Sequence, residues 1–364
     1  MRKNLLLHRL ISSILLFVLI CLNSCEKDEI INNPVVSTKG VFVLYEGVFG
    51  QASSYDYAFI DVSANSVQSN VYQNSNSGAF LNSFPDGMAL YFNQDLYITA
   101  QGTFGQPGTI YKINSDNNRL DTFRNFGKNP YNFIIVNSKI YVTNVGGDYV
   151  SIMDLNFNSL TDSLAVGPFP SDLISALGNI YIAKASYTYE NSVAVINILS
   201  NNVTKIFFSK PPVSVANNTG GIYVSTYTHK KIYVLDSITS LISDSISIQI
   251  PEPAIGTILA GNPATLYVLG VQDTLFSSNV GKKVYRYDFT TNSLDPNFSI
   301  QFSGTDDVFG IEYDPVESKI YIANSRGGTV NGEVRVYDKN GSLLKTYPDI
   351  GGKFPKRFAF KRWC

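Results

Sequence analysis

Few residues in this 364-residue chain carry the chemistry of catalysis. Its two histidines are His8 and His229, and His8 lies in an N-terminal segment that reads as removable. One remaining imidazole cannot build a His-rich zinc site or a Cys-x-x-Cys-His haem attachment. His229 itself falls in Thr226-Tyr227-Thr228-His229-Lys230, a tight loop between two strands, and reads as a surface turn residue. A Gly-x-Ser-x-Gly elbow, a phosphate-binding loop and an EF-hand loop are all missing from the sequence. Asp306-Asp307, with Glu312 and Asp314 nearby, offers the oxygen donors that calcium takes, but Glu312 and Asp314 flank Tyr313 at a strand end and read as solvated. We therefore assign no catalytic residue, no cofactor and no metal ligand, and expect a binding protein rather than an enzyme.

The stronger signal is aromatic. Tyr55, Phe104, Tyr187, Tyr189, Tyr227 and Phe276, together with Arg326, occupy segments that read as loops, and we take them as the candidate binding residues. Phe49, Phe80, Phe84, Tyr131, Phe169 and Phe309 belong to the same set of connections. Loops ordinarily carry polar residues, so aromatics concentrated in one set of them suggest a contact surface. Net charge is −1, with 28 basic and 29 acidic residues spread along the chain, which leaves no footprint for a nucleic-acid backbone.

The elements that must position these loops repeat. An apolar-Tyr-apolar strand recurs around Tyr97, Tyr141, Tyr181, Tyr223, Tyr267 and Tyr321, with Val41-Phe42-Val43 opening the series. Subtracting residue numbers gives intervals of 44, 40, 42, 44 and 54 residues. A period of roughly 40–45 suits a four-stranded propeller blade. Each such strand is followed by a second one ending in Asp or Asn (Asp61, Asn114, Asp154, Asn197, Asp236, Asp288, Asp338), placed to brace the following turn through its side chain. A third short strand, often opened by proline, precedes each tyrosine strand. The Val41 unit lacks that strand, while Pro355 to Phe360 is a spare copy of it. The chain is thus expected to be all-β, a seven-bladed β-propeller whose C-terminal strand closes the first blade. The recurrent tyrosines read as packing between blades.

Ile140-Tyr141-Val142-Thr143-Asn144, then Gly146-Gly147 and Val150 to Asp154, resemble the YVTN (YncE-like) propeller repeat, and Ile320 to Asn324 is a close variant. The resemblance covers about residues 40–361 and implies architecture more than activity. At the N-terminus, Arg2, Lys3 and Arg9 precede an apolar run, Ile11 to Leu22, too short to span a bilayer. It ends in Leu22-Asn23-Ser24-Cys25, which resembles the lipobox of bacterial lipoproteins and implies diacylglycerol on Cys25. Glu26 to Glu29 resembles the acidic export tag of surface lipoproteins. With Cys21 removed and Cys25 lipidated, Cys364 is left alone and no internal disulfide is expected.

The expected organisation is a lipoprotein signal peptide over 1–24, a lipidated tether over 25–39 and a propeller over 40–364, anchored to the outer membrane and facing outward. Among lipidated YVTN-like propellers, the family that scavenges cobamides beside an outer-membrane transporter is the nearest functional relative. The resemblance implies capture of a small molecule, a corrinoid as the best candidate, on the loop rim, with a transporter as partner. A protein- or glycan-binding adhesion module is the second reading and a lactonase-type hydrolase the third.

Overall fold

The computed structural model describes residues 37–363, except 159, 186–189, 219–220, 227–229, 237, 262–263 and 272–280. Seven antiparallel four-stranded blades follow one another around a ring. Blade 1 takes its innermost strand, Pro355–Trp363, from the far end of the sequence and continues outward through Ser37–Tyr45, Asp56–Asp61 and Ser66–Gln68. Blades 2 to 7 begin with inner strands Pro85–Tyr91, Pro130–Val136, Pro170–Ala176, Pro212–Asn218, Ala254–Ala260 and Val308–Asp314. Closure by Pro355 onward is as the spare strand required, so neither end of the ring leaves an inner edge unpaired. Blade 6 is the irregular one. Its outer edge is two short pieces, Ser293–Leu294 and Ile300–Gln301, and Gly281 also pairs with Val308 of blade 7.

The repeat is built around its tyrosine. Tyr97, Tyr141 and Tyr181 are fully buried, and Tyr223, Tyr267 and Tyr321 nearly so. Each ring leaves its own blade and enters the core of the next. Tyr97 of blade 2 packs with Phe133, Ile140, Val142 and Phe157 of blade 3. The hydroxyls of Tyr97, Tyr181 and Tyr267 then reach the outer turn of that neighbour, whereas Tyr223 donates to Asn218 of its own blade at 3.3 Å. Tyr97 donates to the Leu155 carbonyl at 3.0 Å, and Tyr267 to the Lys339 carbonyl at 3.2 Å, while Tyr181 meets Ser240 Oγ at 2.7 Å. A large apolar ring with one polar tip suits a sheet-to-sheet interface, where the body is dry and the tip needs a partner.

The recurrent acids and amides do what turn chemistry requires. Asp154 accepts from the Asn156 and Asn158 amides at 2.9 and 3.0 Å, and Asp236 from Ile238 and Thr239 at 3.0 and 2.7 Å. Asn114 and Asn197 brace their turns in the same way. Hydrogen bonds within their turns, from the Ala64 amide to Asp61, the Thr239 amide to Asp236 and the Thr290 hydroxyl and amide to Asp288, hold these carboxyls below the usual carboxylate range.

Candidate ligand-binding site at the channel mouth

The inner strands surround a central channel, and a recurring distortion decides what lines it. In blades 2 to 7 the pairing of inner strand to tyrosine strand slips within the first few residues: between Pro85 and Gly87, Pro130 and Phe133, Pro170 and Leu173, Pro212 and Ser214, Ile255 and Ile258, and Val308 and Gly310. Such a bulge breaks the strict in-out alternation of a strand. Adjacent residues therefore share one lining, Ser171 with Asp172 and Val213 with Ser214, and Lys356 and Arg357 of the closing strand line the same cavity. With Glu46, Asp86, Gln101, Tyr131, Lys184, Thr257 and Phe309 they enclose a cavity of about 240 Å³ at the rim end of the channel. A second cavity of about 520 Å³ opens at the other end. Asp172, Thr257, Ile311 and Arg357 line both, so they form the waist between them.

The charges at this mouth are paired in a definite order. Lys356 is bonded to the wholly buried Asp86 and lies 3.4 Å from Glu46, over the Tyr131 ring at 5.6 Å. Burial alone would lower its pKa, but Asp86 and Glu46 outweigh burial and hold the ammonium well above its ordinary value. Asp86 also accepts from Gln101. Arg357 donates Nε to the Asp86 carbonyl at 3.1 Å. Asp172 accepts from Ser214 Oγ at 3.0 Å and from the Leu173 and Val215 amides at 3.1 and 3.2 Å. Burial raises the Asp172 carboxyl against the pull of Arg357, and it pushes Glu312, which lines the lower cavity, up to about 7. Lys184 donates to the carbonyls of Val166 and Gly167 at 2.7 and 3.3 Å, and burial brings it down to about 8.

Above the cavity stands an aromatic fringe under backbone strain. Phe84, Phe169 and Phe354, each immediately before the proline of an inner strand, hold φ of 54, 52 and 56°, and Asn129 in the same position holds 50°. A left-handed conformation costs a residue bearing Cβ roughly 1–2 kcal/mol, and its recurrence at one rim marks a constrained surface. Phe84 stacks on Phe49 at 5.5 Å, and Phe354 lies 5.3 Å from Phe309. Gly328 makes room for this, since a Cβ there would stand 2.2 Å from the Phe354 ring.

The loop candidates divide. Phe104 is 70% exposed and free to meet a partner. Tyr55 is not: it is 3% exposed, packs beside Phe84 and accepts from the Gly50 amide at 3.1 Å. It braces the long Glu46–Tyr57 loop from within. Arg326 spends its guanidinium on the carbonyls of Asn331 and Pro348 at 3.4 and 3.1 Å. Tyr187, Tyr189, Tyr227, Phe276 and His229 lie outside the described residues, as do Cys25 and Cys364. The acids considered for calcium go to separate partners: Asp306 to Asn324 and Arg335, Asp307 to Lys282, Asp314 to Thr38 and Arg362. Among the described residues no group of three or more His, Cys, Asp or Glu is placed to hold a metal.

Loop reasoning overlooked Asp86, Asp172, Lys356 and Arg357. The signal was present one step away, as the residues just after the inner-strand prolines. Most repeat columns keep their chemistry from blade to blade. This one changes in every blade, as a site assembled from seven non-equivalent parts must.

Fold and channel define a seven-bladed propeller with a charged, aromatic-fringed mouth. The chain belongs to the family described as a domain of unknown function, DUF5074, whose pattern matches residues 39–361. No curated protein sequence matches it. Among solved structures it is similar to a quinonprotein alcohol dehydrogenase-like protein from Bacteroides thetaiotaomicron (TM-score 0.65, 16% identity, covering 89% of this chain and 78% of that one). A functionally unknown protein from Desulfotomaculum acetoxidans is similar at TM-score 0.65 and 12% identity, over 89% and 99% of the two chains. Kuenenia stuttgartiensis hydrazine synthase follows at 0.58 and 13%, over 73% and 86%. At these identities the likeness is one of fold.

Proposed function

We propose that this propeller is a binding protein that captures a small organic molecule at the rim end of its channel. The observation that carries this reading is the convergence of Lys356, Arg357, Asp86, Tyr131, Asp172 and Phe309, from five blades, on one cavity beneath an aromatic fringe. Well-formed concavities with a few convergent polar groups are where small ligands bind. The Leu22 to Cys25 lipobox supports a lipid anchor on a bacterial envelope, two acyl chains being enough for stable attachment. An outer-membrane transporter is then the natural recipient.

A cobamide is the ligand to test first. Its macrocycle is too large for a cavity of about 240 Å³, so it would lie across the fringe and send a side arm inward. Calorimetric titration of the purified protein with cobalamin and cobinamide tests this. Saturable heat that is weakened in Phe104→Ala supports it, and no heat with either corrinoid removes the scavenger reading. The exposure of Phe49 and Phe104, 80% and 70%, then favours a protein or glycan partner on the same rim. Cys25→Ala should release the protein from membranes; retention without acyl labelling refutes the anchor.

A further inference from the structure

Hydrogen-bonding capacity at the channel waist is unevenly used. The carboxylates are occupied by the protein: Asp86 takes Lys356 and Gln101, and Asp172 takes Ser214 and two backbone amides. The donors are not. Arg357 commits only Nε, to a backbone carbonyl, which fixes the guanidinium plane while Nη1 and Nη2 bond no described residue. The hydroxyls of Tyr131, Ser171 and Thr257 line the same cavity and likewise bond no described residue, although Ser171 is 94% buried by its relative exposure of 6%. A planar guanidinium fork with hydroxyls beside it matches the two oxygens of a carboxylate.

Charge and shape narrow the class. Asp172, Asp86 and Glu312 surround the fork and Glu46 stands beside Lys356, so a dianionic phosphate would meet four acids against one arginine whose neighbour Lys356 is already paired. A monoanion matches Arg357, whose guanidinium makes no ion pair among the described residues. Val213, Ile311 and Phe309 supply apolar wall. At about 240 Å³ the cavity lies below the size that encloses a drug-like molecule. We infer that the cavity takes the carboxylate of a small aromatic or branched organic acid, free or as the arm of a larger ligand, through the Arg357 fork with Tyr131, Ser171 and Thr257. This rests on the channel mouth being the binding site, as proposed above.

The test is titration of the full chain, followed by NMR and calorimetry, with benzoate, isovalerate, benzamide and inorganic phosphate. Saturable binding of a carboxylate is expected, with benzamide and phosphate at least tenfold weaker. Arg357→Gln should abolish it, and Arg357→Lys, which keeps the charge but not the fork, should weaken it at least tenfold. If Arg357→Gln does not fold, Tyr131→Phe, expected to weaken binding severalfold, carries the test beside Arg357→Lys. Benzamide binding as well as benzoate, with Arg357→Lys unaffected, overturns the carboxylate assignment yet leaves the mouth a binding site. Absence of binding by both carboxylates and benzamide overturns the assignment, while the corrinoid titration decides the mouth separately.

Discussion

Arg362, near the end of the closing strand, donates from Nη1 to Asp314 Oδ1 at 2.7 Å, joining blade 1 to the inner strand of blade 7. Asp314 is wholly buried and also accepts from Thr38 Oγ1 at 2.5 Å, so strands from both ends of the sequence meet on one carboxylate. On the other side, Lys361 donates to the Ser115 carbonyl at 2.7 Å and Asp116 at 2.6 Å, and Arg362 exchanges two hydrogen bonds with Asn93 of blade 2. The closing strand is thus fastened to both neighbouring blades.

Removing one partner of a buried pair strands the other charge, at a cost of about 3–5 kcal/mol. Arg362→Met should therefore shift the urea midpoint strongly downward, and adding Asp314→Asn to it should recover part of the loss. Equal and additive losses in the two single variants would show that the pair is not coupled. Deletion of 355–360 should be more damaging than either, since it opens the ring; an unchanged melting temperature refutes closure there.

The tyrosine columns allow a sharper comparison. Tyr97→Phe should cost about 1 kcal/mol, the net worth of one hydrogen bond to the Leu155 carbonyl. Tyr141 occupies the same place in blade 3, but its buried hydroxyl has no partner among the described residues. Tyr141→Phe should be neutral or stabilising. Equal losses at both positions in chemical denaturation would contradict this.

Stability should fall between about pH 4 and 7. Burial raises Glu312 from 4.5 to about 7, with Arg357 opposing, and raises Asp56 from 3.8 to about 6 against its backbone hydrogen bonds. Both hold protons more tightly folded than unfolded, so their contribution is complete below the unfolded values and is lost as pH rises through the folded ones. Lys184, lowered by burial from 10.5 to about 8, has the opposite slope, and its cost fades as pH climbs from 8 toward 10.5. Glu312→Gln should flatten the acid limb measured by urea midpoints. An unchanged slope would show that Glu312 does not titrate in this range.

The rim aromatics should separate into two kinds. Tyr55→Ala removes a buried ring and should lower stability by about 3–5 kcal/mol. Phe104→Ala, on an exposed side chain, should leave melting within about 0.5 kcal/mol of the parent while weakening ligand capture. Loss of stability in Phe104→Ala would place its ring inside its loop.

Blade number, ring closure and the turn-bracing acids were legible in the amino-acid order because each depends on local periodicity or on counting. A spare inner strand at Pro355 has one possible home when the Val41 unit lacks one. The site was only half legible. Loop position alone cannot separate Tyr55, folded into its loop, from Phe104, which stands clear, because that is decided by what packs alongside. Nor does alternation at period two place Lys356 and Arg357 on the same wall, or bring Asp86, Asp172 and Glu312 around them. That required the radial convergence of seven blades on one axis and, in blades 2 to 7, the slip in strand pairing after the inner-strand opening, neither of which is a property of any single stretch of chain.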